Sequence, residues 1–121
     1  MNKFALALIA ANIPITASSA MPVSQFLAKA EALQKKGPMA LFSSDLGVLK
    51  KEMQTTGGQI RAERLAVVKA GGKPPFCPPA KASMNSDELL AHLRGIPPAQ
   101  RGMSFKTAYQ SFLTRKWPCP A

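Results

Sequence analysis

Five side chains in this sequence belong to types that do chemistry at close quarters: Cys77, Cys119, His92, and the adjacent carboxylates Asp87 and Glu88. Each cysteine is locked among prolines, Cys77 in "PPFCPP" and Cys119 in "WPCP". A nucleophilic thiolate needs a helix N-terminus or a neighbouring cation, and a proline-locked position offers little of either. The C-x-x-C spacing of redox proteins is absent. Cys77, Cys119 and His92 would give a metal three ligands at irregular spacing, one short of a structural zinc site. His92 has no neighbour in sequence that completes a catalytic set. Asp87 and Glu88 fall in the first turn of an expected helix, where acids serve as cap and dipole partners. There is no Gly-x-Ser-x-Gly, phosphate loop or metal-ligand pair at helical spacing. The inventory points away from an enzyme and implies no cofactor.

What remains for the cysteines depends on their compartment. The opening "MNKFALALIAANIPITASSA" reads as a secretory signal peptide, with Lys3 before an apolar run over residues 4–13 and a small, polar cleavage region. Cleavage is expected after Ala20. The alternatives are a membrane-spanning helix, for which the run is too short, and a start at Met21, which would leave the product in the cytosol. Two cysteines in an exported domain are most simply one disulfide. Closing a ring of roughly 40 residues stabilises by about 4 kcal/mol on the chain-entropy account.

Cleavage would leave 101 of the 121 residues, enough for one small domain. The leader holds one charge, Lys3, so the formal net charge of +10 becomes +9. Such a balance favours an anionic partner: a protein with an acidic face, or an anionic lipid or polymer of the envelope. Nucleic acid is not a partner that an exported chain is placed to meet.

The elements that must position these residues are all helical. Val23, Phe26, Leu27, Ala30 and Leu33 form one apolar stripe, which Gly37-Pro38 ends. A short turn carries Met39, Leu41 and Phe42. Ser43, Ser44 and Asp45 then offer a cap, and Leu46, Leu49, Met53, Ile60 and Val67 recur at helical spacing. "TTGG" at 55–58 interrupts them, so either a kinked long helix or two helices is expected. "AGGKPPFCPP" at 70–79 is the main boundary. Asn85 and Glu88 have capping-box spacing before Leu89, Leu90 and Leu93. After "IPPAQRG", Ser104 caps a last helix bearing Phe105, Ala108, Tyr109, Phe112 and Leu113, and Pro118 ends it. No segment alternates with period two. The expected fold is one all-α domain over 21–121 with four to five helices: N-terminal helices over 21–72 and a disulfide-closed hairpin over 76–119. Lys50, Lys51, Arg61, Arg64 and Lys69 would form a basic binding face or an ordinary solvated surface. Phe76 and Trp117 would pack on the disulfide, or Tyr109 and Trp117 would anchor a partner.

"FCPPAKASMNSDELLAHLRGIPPAQR" followed by "YQSFLTRKWPC" resembles the Rap/Tai family of immunity proteins, which protect bacteria from type VI secretion effectors in the periplasm. The matching features are Phe76-Cys77-Pro78, the helix after Asn85, Pro97-Pro98, and Trp117-Pro118-Cys119. They cover about residues 76–119. The resemblance implies a periplasmic, non-catalytic protein whose partner is an effector enzyme. The alternative is a basic accessory protein that binds anionic lipid or polymer of the cell envelope.

Overall fold

The computed structural model describes residues 21–120, and the expected signal segment 1–20 lies outside them. The first apolar stripe makes a helix, α1 (Val23–Lys36), burying Val23, Phe26, Leu27 and Ala30. Gly37 caps it with φ 54°, a left-handed value that glycine adopts without a Cβ penalty. The expected short turn is a 3-10 helix, Gly37–Phe42, with Pro38 in its first turn. Ser43 accepts a hydrogen bond from the Asp45 amide and starts α2 (Ser44–Lys69).

Of the two readings of α2, the continuous one holds: the helix passes through Gly57-Gly58 without a break. At 26 residues it is about 39 Å long. Leu49, Thr56 and Ile60 are buried along one side, so packing continues on both sides of the glycines. That burial overrides a propensity cost of about 2 kcal/mol for two glycines in a helix interior. Thr56 tolerates burial because its hydroxyl lies 3.4 Å from Glu52 Oε1, one helical turn back.

After an extended loop, Asn85 and Glu88 form the expected capping box at the start of α3 (Ser86–Arg94). A short 3-10 turn, Pro98–Gln100, leads to α4 (Phe105–Lys116), which Ser104 caps through the Thr107 amide. Cys77 and Cys119 are joined in a disulfide with Cα atoms 4.8 Å apart. The Cys77 amide also donates to the Trp117 carbonyl at 2.8 Å. The ring so closed contains α3 and α4.

The two halves share one core. Phe105 is fully buried, and its ring stacks on Phe26 of α1 at 4.1 Å and near Tyr109 of α4 at 5.5 Å. Its amide donates to the Met21 carbonyl at 2.6 Å, while Val23 and Ser24 donate to Met103 and Arg101. The first described residues are thereby sewn to the loop before α4. Among the described residues no strand forms beyond one isolated bridge, Pro22 to Ser104, and no helix is long and apolar enough to cross a membrane.

Two stability outcomes follow from this packing. Gly58 is exposed, and a Cβ there meets nothing within 4 Å. Gly58→Ala is therefore expected to raise the unfolding free energy by about 0.5–1 kcal/mol in a urea titration. Cys77→Ser with Cys119→Ser is expected to lower it by about 4 kcal/mol, with intact mass confirming the two-hydrogen deficit of the wild type.

Candidate functional site

The five basic residues of α2 do not share one face. Lys50, Arg61 and Arg64 fall along one flank, whereas Lys51 and Lys69 lie opposite the buried stripe and about 27 Å apart along the axis. Lys50, Lys51, Arg61 and Lys69 are exposed, with no ion pair or side-chain hydrogen bond among the described residues. Arg64 differs. It is half-buried, its Nε donates to the Phe76 carbonyl at 3.0 Å, and its guanidinium stands 5.7 Å from the centre of the Phe76 ring. A cation over an aromatic face is stabilising, so Arg64 fastens the Cys77 segment to α2.

Around that fastening lies a groove of about 470 Å³ between α2, α4 and the disulfide-bearing segments. Arg61, Arg64, Phe76, Pro78, Tyr109 and Trp117 line it, together with apolar residues including Leu65 and Leu113, and no acid does. Trp117 is half-buried in this wall. Tyr109 is buried, and its hydroxyl has no hydrogen-bond partner among the described residues. No fully enclosed side-chain nitrogen or oxygen there lacks a partner, so solvent must reach this hydroxyl. Gly57 lies beside it, and a Cβ at that position would stand 3.9 Å from Tyr109 Oη, in ordinary contact. Burial pushes the phenol's pKa up, so the hydroxyl remains a donor.

At the α1–α2 connection the 3-10 helix turns apolar residues outward. Met39, Leu41 and Phe42 are 64%, 76% and 83% exposed. Lys35 and Lys36 immediately precede it in the last turn of α1. The helix sits between two glycine- and serine-capped ends, so these side chains project from a fixed backbone. A second groove, about 660 Å³, runs between α1, α2 and the start of α3, with Phe26, Leu49, Met53 and Leu90 in its wall and Lys50 and Asp87 at its edge.

His92 faces Phe112 at 5.5 Å between ring centres, in a shallow hollow with Glu88, Arg115 and Lys116. Burial first, and the Arg115 charge second, lower its pKa. Glu88 is held below its ordinary value by the Lys116 ammonium and the Asn85 amide. These are structural roles. Among the described residues no three His, Cys, Asp or Glu side chains gather in a metal-binding group. The exposed tip and the open Tyr109 hydroxyl escape sequence reasoning, because an apolar run and a buried tyrosine look alike whether satisfied or not.

No protein-family model matches the chain, and neither a curated protein nor a solved structure matches it. The likeness of residues 76–119 to the Rap/Tai immunity proteins therefore rests on the motifs themselves.

The histidine carries a pH prediction. Its folded pKa lies below the unfolded value of 6.5, so the unfolded chain binds more protons as pH falls through that value. Stability is expected to drop as pH falls below about 6.5, and His92→Gln is expected to flatten that slope in urea titrations across pH.

Proposed function

We propose that the chain is an exported, non-catalytic binding protein that acts as an immunity-like inhibitor, covering the site of a secreted effector enzyme in the periplasm. The observation that carries this reading is the projecting tip of Met39, Leu41 and Phe42. Three large apolar side chains are exposed within four residues, and exposed apolar patches mark sites of protein or membrane contact. A tip already fixed between two packed helices loses little entropy on binding, which favours affinity. The net charge of +9 beyond the expected leader calls for an acidic partner surface. The disulfide-closed hairpin over 76–119 supports the class, since it carries the aromatic, cysteine and proline features of the immunity resemblance.

A second reading has its own observation. Lys35 and Lys36 stand directly before the tip, and apolar side chains beside lysines also suit an anionic lipid surface. Binding of that kind weakens with salt.

Affinity capture from periplasmic extract with the oxidised protein separates the two. The inhibitor reading expects one stoichiometric hydrolase whose activity falls as the protein is added back, and Phe42→Asp is expected to abolish both. Recovery of only lipid or acidic polymer, released by salt, would overturn it in favour of the envelope surface.

A further inference from the structure

The groove between α2, α4 and the disulfide has features that a solvated surface does not need. Tyr109 is only 7% exposed, yet its hydroxyl is left without a protein partner and open to the groove. A buried tyrosine normally satisfies its hydroxyl within the protein. Beside it, Arg61 has no ion-pair partner among the described residues, and Arg64 spends only Nε on the Phe76 carbonyl. The lining contains no acid that would neutralise either guanidinium. The donors thus line a space with no carboxylate in it. Its other walls are Phe76, Pro78, Trp117 and Leu65, which are apolar and would not attract a bare inorganic anion.

We infer that this groove is a binding site for a peptide carboxylate that adjoins an apolar side chain. The carboxylate accepts from the Tyr109 hydroxyl and from Arg61, whose planar fork matches a carboxylate in two parallel hydrogen bonds. The terminal nitrogens of Arg64 add charge while its Nε stays on the Phe76 carbonyl. The adjoining apolar side chain lies along Trp117 and Pro78, excluding water from the ion pair. At about 470 Å³ the groove falls within the size range of small-ligand sites. The site extends the binding-protein reading by naming what the partner presents: an acidic, apolar segment that ends or turns at this groove. It lies on α2, α4 and the disulfide, away from the tip on the α1–α2 connection.

Trp117 is the only tryptophan, so its fluorescence reports the groove directly. The probe is N-acetyl-leucyl-phenylalanine as the free acid, set against its C-terminal amide, N-acetyl-leucyl-aspartate amide and inorganic phosphate. The free acid is expected to shift Trp117 emission saturably at millimolar concentration or below, with the amide about tenfold weaker. A response to the aspartate peptide in place of the free acid assigns the carboxylate to a side chain, and a response to the free acid assigns it to a chain terminus. Tyr109→Phe keeps the ring and removes only the unpartnered hydroxyl, so it is expected to leave thermal stability unchanged and weaken binding several-fold. Arg61→Ala is expected to weaken it further, whereas Phe42→Asp is expected to leave it unchanged. A response to the amide equal to the stronger of the two carboxylate peptides, an equal response to phosphate, an unaffected Tyr109→Phe, or no response to any probe would overturn the site. Because the probes never involve the tip, loss of effector capture by Phe42→Asp and loss of probe binding by Tyr109→Phe fail separately.

Discussion

The Cys77–Cys119 bridge is the constraint on which the rest of the C-terminal half depends. Without it, the proline-rich loop bearing Phe76 would be held to the helices by non-covalent contacts alone, and α4 would end in a fraying tail. With it, the loop and the tail become one segment, aligned by the hydrogen bond from the Cys77 amide to the Trp117 carbonyl. Cys119 Sγ also lies 3.4 Å from the Pro74 carbonyl oxygen, a packing contact, since a disulfide sulfur has no proton to donate. Fixing Phe76 fixes its carbonyl and ring together, and both faces of that residue are what Arg64 grips. The bridge therefore reaches α2 through an arginine, and that chain of contacts runs along the wall of the groove.

A second dependency joins the halves at Phe105. Its ring lies between Phe26 and Tyr109, and its amide binds the chain at Met21. Burying one such side chain is worth about 1.5–3 kcal/mol. The geometry has a further effect, because the same stack holds the Tyr109 ring whose hydroxyl opens to the groove. The open hydroxyl thus belongs to a ring held by packing, with Gly57 beside it. Stability and the candidate site share these residues.

Local physics was readable from the sequence. Ser43, Asn85 with Glu88, and Ser104 cap the helices they were expected to cap, because a cap involves a side chain and a backbone amide two or three residues on. The disulfide was readable because only one pairing exists. The course of α2 through Gly57-Gly58 was not, since burial of Thr56 and Ile60 against other elements decides it. Arg64 was grouped with the basic face because its true acceptor, the Phe76 carbonyl, is a backbone group beyond the helix that pattern reading does not see. Met39, Leu41 and Phe42 read as an apolar turn either way, and only the packed structure shows that nothing covers them.

The distribution of acids explains how a basic surface and a stitched core coexist. Only six acids are present in the chain, and three of them pair between helices: Asp45 with Lys29 joins α2 to α1, Glu63 with Lys106 joins α2 to α4, and Glu88 with Lys116 joins α3 to α4. Each exposed or half-exposed pair is worth no more than about 1 kcal/mol, so their weight is in orientation more than in stability. Their cost falls elsewhere. With those acids committed to interhelical seams, Lys50, Lys51, Arg61 and Lys69 keep no ion-pair partner among the described residues, and they give α2 exposed positive charge. Such charge steers any acidic partner to the molecule but cannot choose among them. Selection would then rest on shape: the apolar side chains of Met39, Leu41 and Phe42, and the apolar walls that Phe76, Pro78 and Trp117 set around the Tyr109 hydroxyl.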